Sequence, residues 1–234
     1  MFHRRFLCKM FVSGSLSVCT LLAVAQTIER LYDPEPPVNS AYVRVMLAVD
    51  PGQRLTLTLD GKTRIPVVVA NQASDYMVVS AGKHLLALLA QGKSAPVASV
   101  PLDLIQGRAM TVVFTTTQGT TPPKVLEDKT GSNKLKAMLS VYQFASRQKP
   151  LDVLTSDGKT KVFAGLGYGT SAYIAVNPIN TDLLVQSSGE ASTIGKASLS
   201  MTQGGAYSIL LLPEKQKIKT VVIQNKVERY TGSR

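Results

Sequence analysis

Gly61-Lys62-Thr63 and Gly158-Lys159-Thr160 each carry the last three letters of a phosphate-binding loop. In that loop a leading glycine lets the backbone curl round the phosphates, and a helix follows. The leading glycine would stand at Thr56 and Val153, and no helical pattern follows either copy, so the two lysines read as solvated turn residues. Hydrolysis or acyl transfer needs a base beside a nucleophile. His84 is the only histidine beyond residue 3, and a triad would require Ser80 or another serine, with an aspartate such as Asp75, to converge on it. No nucleophile-elbow sequence supports that arrangement, and a turn histidine on the surface is the ordinary case. The fifteen carboxylates are scattered, without a calcium loop or an acidic cluster. No catalytic residue, metal site or cofactor is therefore expected.

Residues 1–25 have the layout of a secretory signal peptide. His3, Arg4, Arg5 and Lys9 precede an apolar stretch over 11–22, and Ala23-Val24-Ala25 forms a small-x-small cleavage site. The apolar run is too short for a convincing membrane span, and Cys19 lacks the small neighbour of a lipobox. Export would place the chain in the periplasm. Both cysteines, Cys8 and Cys19, fall in the leader, which leaves the mature chain no thiol chemistry and no cysteine-held metal. Cleavage also removes Arg4, Arg5 and Lys9, lowering the formal charge from +11 to +8. A basic exported protein suits an acidic protein partner, an acidic polysaccharide or a membrane surface, and no feature points to nucleic acid.

Ligand platforms in sugar-binding β proteins are exposed aromatic rings. Tyr142, Phe144, Tyr168, Tyr173 and Tyr207 are available in the second half. Tyr168, set in Gly165-Leu166-Gly167-Tyr168-Gly169, is the one expected at the surface, while Tyr173 alternates with Ala172 and Ile174 and reads as core or half-core. Lys215, Lys217 and Lys219 crowd one expected hairpin end, suited to a polyanion or simply solvated.

Short strands must position these residues. Val43, Val45, Leu47 and Val49 alternate with other residues, as do Leu55, Leu57 and Leu59, which predicts half-buried antiparallel strands. Asp60-Gly61 marks a hairpin because glycine accepts the positive φ of a tight turn. Sliding the sequence by 97 aligns Asp60-Gly61-Lys62-Thr63 with Asp157-Gly158-Lys159-Thr160 and gives thirteen identities over positions 60–109, where average composition gives about three. The chain thus reads as two tandem, all-β sandwich domains related by internal duplication: 41–117 and 135–229, joined by a flexible linker over 118–134. A proline-rich extended arm over 26–40 precedes them. Met46-Leu47-Ala48-Val49 also resembles Met138-Leu139-Ser140-Val141 at offset 92, which predicts five extra residues before the second hairpin.

The stretch Leu31-Tyr32-Asp33-Pro34-Glu35-Pro36-Pro37-Val38-Asn39-Ser40-Ala41-Tyr42-Val43-Arg44-Val45 resembles the opening of the AlgF family of periplasmic alginate O-acetylation proteins. Thr155-Ser156-Asp157-Gly158-Lys159-Thr160, with Asn177-Pro178 downstream, is similar to the same family. The chain departs from it at Met46-Leu47, where the family tends to an aromatic-Asn pair. The resemblance implies a non-catalytic adaptor in O-acetylation of an exopolysaccharide, either alginate or an acetylated cellulose. Such an adaptor links a membrane-bound O-acyltransferase to periplasmic SGNH-type acetyltransferases. On this reading Leu31, Tyr32, Pro34, Pro37 and Arg44 of the arm, together with the basic second half, contact partners. The rival expectation is a carbohydrate-binding module that holds acidic exopolysaccharide through Tyr168, Lys215, Lys217 and Lys219. An acyl-enzyme centred on His84 is third.

Overall fold

Alternating apolar residues bounded by glycine turns fold as strands throughout. The computed structural model describes residues 35–49, 52, 54–116, 121–129, 131, 133–145, 149–214 and 217–230, and no helix occurs among them. The leader, Leu31, Tyr32, Pro34, Lys215 and the tail over 231–234 lie outside the described residues.

The first half contains β1 (Ser40–Leu47), β2 (Leu55–Leu59), β3 (Lys62–Val68), β4 (Gln72–Ala73), β5 (Met77–Ser80), β6 (Gly82–Ala90), β7 (Pro96–Leu104), β8 (Ala109–Phe114) and β9 (Lys124–Asp128). One sheet runs β4-β1-β8-β9, with β5 also on β1, and the other runs β3-β2-β6-β7. Val43, Val45, Leu47, Leu57, Leu88 and Phe114 are central in the core between them. The second half contains β10 (Ala137–Gln143), β11 (Leu151–Thr155), β12 (Lys161–Leu166), β13 (Thr170–Val176), β14 (Asn180–Ser187), β15 (Thr193–Ser200), β16 (Ala206–Glu214) and β17 (Lys217–Gln224). Its sheets run β13-β10-β16-β17 and β12-β11-β14-β15, the same order strand for strand, around Leu139, Val141, Val153, Val185, Ile209 and Leu211.

Four features depart from the sequence expectations. The first strand of each half pairs in parallel with the next-to-last, β1 with β8 and β10 with β16, which no local pattern announces. The stretch 118–134, expected as a linker, contributes β9, an antiparallel edge strand on β8. The loop between β1 and β2 and the one between β10 and β11 have equal length, because the parallel registers place Leu47 opposite Phe114 and Gln143 opposite Leu211. The five-residue insertion suggested by offset 92 is therefore absent. Finally, the two Asp-Gly turns occupy the same hairpin but differ in form. Leu59 pairs with Lys62 across a two-residue loop in which Asp60 (φ 51°) and Gly61 (φ 76°) both have positive φ, the geometry demanded by a tight primed turn. In the second hairpin Gly158 N–H bonds the Thr155 carbonyl and Thr155 N–H bonds the Thr160 carbonyl, giving a wider loop, with Asp157 Oδ1 accepting from Lys159 N–H.

The central strands also face two ways. β1 sends Ala41, Val43, Val45 and Leu47 into the first core and Met46 to its opposite face; β16 sends Ile209 and Leu211 inward and Leu210 and Leu212 outward. Met46, Ala48 and Val113 from the first half meet Tyr142, Phe144, Leu210 and Leu212 from the second in a third buried cluster. The two sandwiches pack back to back through it, so the inner sheets are covered on both faces. Such strands read as continuous apolar runs, as in Leu210-Leu211-Leu212, rather than as strict alternation.

Candidate functional site: a buried arginine cluster and a basic groove at the junction

Arg44 stands on the outward face of β1 and would be costly there without partners. It is 1% exposed, and every arm of its guanidinium is used. Nε donates to Thr111 Oγ1 at 2.8 Å, one terminal nitrogen to Asn225 Oδ1 at 2.8 Å and the other to Ser208 Oγ at 3.1 Å. The guanidinium lies over the Tyr76 ring at 4.6 Å and near the Tyr142 ring at 5.1 Å, so two aromatic faces share its charge. Asp128 at the end of β9 completes the cluster, accepting from Tyr76 Oη at 2.8 Å, from Thr111 Oγ1 at 2.6 Å and from Tyr142 Oη. Tyr76, Thr111 and Asp128 belong to the first half, and Tyr142, Ser208 and Asn225 to the second. Arg44 was expected to contact a partner protein; it instead ties the two halves of its own chain together.

Burial pushes the Tyr142 hydroxyl up to about 12, with the Asp128 charge adding to the shift and Arg44 opposing it. Tyr76 is raised further, again first by burial. Both phenols are therefore held neutral in the fold and ionise more readily once unfolded. The stability they contribute is complete below the ordinary tyrosine value of 10.0 and is lost as pH rises toward the folded values. Alkaline titration followed by tyrosinate absorbance should show two late-ionising tyrosines that appear only with the unfolding transition. Titration of all tyrosines in one step near pH 10 in the folded chain would contradict the cluster.

A second constellation forms at the Asp60 turn. His84 Nδ1 lies 2.7 Å from Asp60 Oδ2, and Nε2 lies 2.9 Å from the Ser80 carbonyl and 3.3 Å from Ser80 Oγ. Asp60, not Asp75, is the aspartate that meets the histidine. Ser80, His84 and Asp60 thus meet in a hydroxyl–imidazole–carboxylate row, with the hydroxyl the longest contact and the Ser80 carbonyl competing with it for Nε2. Asp60 also accepts from Leu85 N–H at 2.9 Å, and that bond, with the His84 bond, holds its carboxyl below the ordinary range. The three residues lock the β5–β6 connection to the β2–β3 turn.

The glycine loop is built inward as well. Tyr168 is half-buried and packs edge-on against Phe144, with ring centroids 5.7 Å apart at 70°, so it is part of the junction and not an exposed platform. Lys124 Nζ on β9 donates to the Gly169 carbonyl at 3.2 Å, and a Cβ on Gly169 would meet that ammonium at 2.7 Å. Lys217 is exposed and Lys219 half-buried at the start of β17, and Pro37 is exposed in the turn before β1, where its carbonyl accepts from Ser40 N–H. None of these three lines the groove beside Tyr173 or the hollow that adjoins it.

The concave surface lies elsewhere. A groove of about 260 Å³ runs beside Lys129, Lys134, Lys136, Met138, Tyr173 and Ala206, with no carboxylate in its lining. It adjoins a hollow of about 330 Å³ that reaches Tyr42, Lys226 and the outer side of the arginine cluster. Tyr173, expected in the core or half-core, is 53% exposed, because β13 is an edge strand and its odd-numbered residues face away from the second core. These lysines are neighbours in sequence, on the β9–β10 connection, but only the fold sets them against Tyr173 of β13, and that meeting carried no signal in their spacing.

Solved structures that resemble the chain include two of different description. The C-terminal domain of AlgF from P. aeruginosa shares 19% identity at a TM-score of 0.34, over 39% of this chain and 100% of that one. A streptococcal virulence factor described as binding alpha-glucan shares 10% identity at a TM-score of 0.24, over 77% of this chain and 96% of that one. No curated protein matches the sequence. The model of the family described as alginate O-acetyl transferase AlgF matches residues 13–207, most of the sequence, and the chain belongs to that family.

Proposed function

We propose that the chain is a non-catalytic periplasmic adaptor in exopolysaccharide O-acetylation, holding SGNH-type acetyltransferases to a membrane-bound O-acyltransferase. The observation that carries this reading is the junction: two sandwiches of one topology are tied back to back by a buried polar cluster, which presents their remaining edges and faces in one fixed arrangement. A rigid two-domain body suits a component that must keep two other proteins in register. His84 Nε2 lies nearer the Ser80 carbonyl than the Ser80 hydroxyl, which favours a structural over a catalytic role for it.

In a co-purification assay the mature protein is expected to retain the acetyltransferase and the solubilised acyltransferase of its pathway. It is expected to release no acetate from a chromogenic ester, with His84→Ala indistinguishable from wild type. Ester hydrolysis lost in His84→Ala would replace the adaptor by an enzyme. A second reading, a module binding acidic exopolysaccharide, is favoured by the lysine-lined groove beside Tyr173. Saturable binding of uronate oligomers without any retained protein would select it.

A further inference from the structure

Every sheet has two edges, and an unguarded edge is a template for another strand. Most edges of this protein are guarded. β3 carries Lys62, Arg64 and Pro66; β7 carries Pro96, Pro101 and Asp103; β9, β12, β15 and β17 each carry at least one lysine. β5 is uncharged, but the chain covers it itself. Tyr76 N–H bonds the Lys226 carbonyl, Glu228 N–H bonds the Tyr76 carbonyl, and Glu228 Oε1 accepts from Val78 N–H at 3.1 Å and from Arg64 at 2.6 Å. Residues 226–228 therefore lie along that edge and make a parallel bridge with it at Val227.

β13 occupies the corresponding edge of the second half. It pairs with β10 over seven residues without a bulge, and no described strand lies on its other side. Its sequence, Thr170-Ser171-Ala172-Tyr173-Ile174-Ala175-Val176, has no charge and no proline. The internal repeat supplies a direct comparison: Tyr76 and Tyr173 are matched residues 97 positions apart, Tyr76 is 7% exposed under residues 226–228, and Tyr173 is 53% exposed. Ile174 and Ile179 are exposed beside it. The groove that Tyr173 and Ala175 line is bordered by Lys129, Lys134 and Lys136. Among these only Lys129 has a described carboxylate neighbour, Glu127 at 3.7 Å, and Lys136 Nζ donates to Asn177 Oδ1.

We propose that the free edge of β13 accepts an added strand from a partner protein, an extended segment whose apolar side chains pack on Tyr173 and whose carboxylates face Lys129, Lys134 and Lys136. Backbone pairing provides the affinity of such an interface, and the side chains entering the groove provide its selectivity. The positive groove favours an acidic strand over a second copy of β13, which would bring the same lysines against themselves. The inference rests on the adaptor reading and assigns it a docking surface.

Amide hydrogen exchange on the full mature chain, with and without the purified SGNH-type acetyltransferase of the pathway, tests it. The outward amides of Thr170–Val176 are expected to gain protection in the complex. Tyr173→Glu and Lys134→Glu are expected to weaken retention about tenfold or more, Tyr173→Phe to leave it unchanged, and all three to keep the wild-type melting midpoint. A complex in which those amides exchange as in the free chain overturns the β13 site and leaves the adaptor reading standing. A chain that retains no pathway protein overturns both. Protection that appears in the isolated chain on raising its concentration would assign the edge to a second copy. Protection of the groove, but not of the β13 amides, by uronate oligomers would assign it to a saccharide.

Discussion

Arg44→Met is expected to cost about 3–5 kcal/mol of stability, read as a lower urea midpoint, because it removes the one cation from a buried cluster while keeping side-chain volume. Thr111, Ser208 and Asn225 lose their donor, and Asp128 is left among two neutral phenols. Those partners come from both halves, so the loss falls on the junction itself. The transition should broaden or split as the halves begin to unfold separately, whereas wild type is expected to unfold as one unit. Arg44→Lys keeps the charge but cannot reach three acceptors with one ammonium and is expected to lose about half as much. A loss below about 1 kcal/mol in Arg44→Met would mean that water replaces the guanidinium at no cost, and would remove the cluster from the account of interdomain rigidity.

Asp152→Ala is expected to cost about 2–3 kcal/mol, and the deficit should depend on pH. Asp152 is buried on β11. It accepts from Gly165 N–H at 2.7 Å and Ser188 Oγ at 2.6 Å, and pairs with Lys161 at 2.7 Å. Burial alone raises its pKa, but the bonds from Lys161, Ser188 and Gly165 outweigh it and leave the carboxyl below the ordinary value of 3.8. A carboxyl lowered in the folded state stabilises above its unfolded pKa, and the contribution disappears as pH falls through the folded value. Wild type and variant should therefore differ fully at neutral pH and converge in acid, below roughly pH 4. Urea midpoints across that range provide the measurement, and a deficit independent of pH would show that packing, and not the ionised carboxylate, holds this corner. The same bonds secure the start of the glycine loop, so the variant should also free Tyr168 from Phe144. The equivalent position in the first half is Thr56, whose hydroxyl bonds the Pro66 carbonyl on the neighbouring strand, a weaker version of the same tie.

Much of the strand content was legible because period-two alternation and glycine turns are local signals. Leu55-Thr56-Leu57-Thr58-Leu59 followed by Asp60-Gly61 has few other solutions. The family opening over 31–45 was legible for a different reason, since it is a string of letters and not a geometry. Arg44 shows the limit of such reading. An arginine after a proline-rich arm looks solvent-facing, and nothing near it in sequence reveals that its partners stand 67, 164 and 181 residues away. Tyr76 and Tyr173 make the same point from the other side. They are one letter in one repeat position, yet one is sealed in the junction and the other lies open on an edge.

By itself the sequence determined the all-β class, the repeat, the hairpins and the family, because each depends on spacing within a few tens of residues or on direct likeness. The tertiary structure alone decided which faces are surface. Back-to-back packing buries the outer sides of β1, β8, β10 and β16, turns Arg44 and Tyr168 inward, and makes an edge strand of residues expected as a linker. Burial on a second face depends on what a distant segment covers, and no residue carries that information in its own neighbourhood. The same rule leaves β13 open: the tail of the chain reaches the first half and covers β5, and nothing in the described chain covers its counterpart.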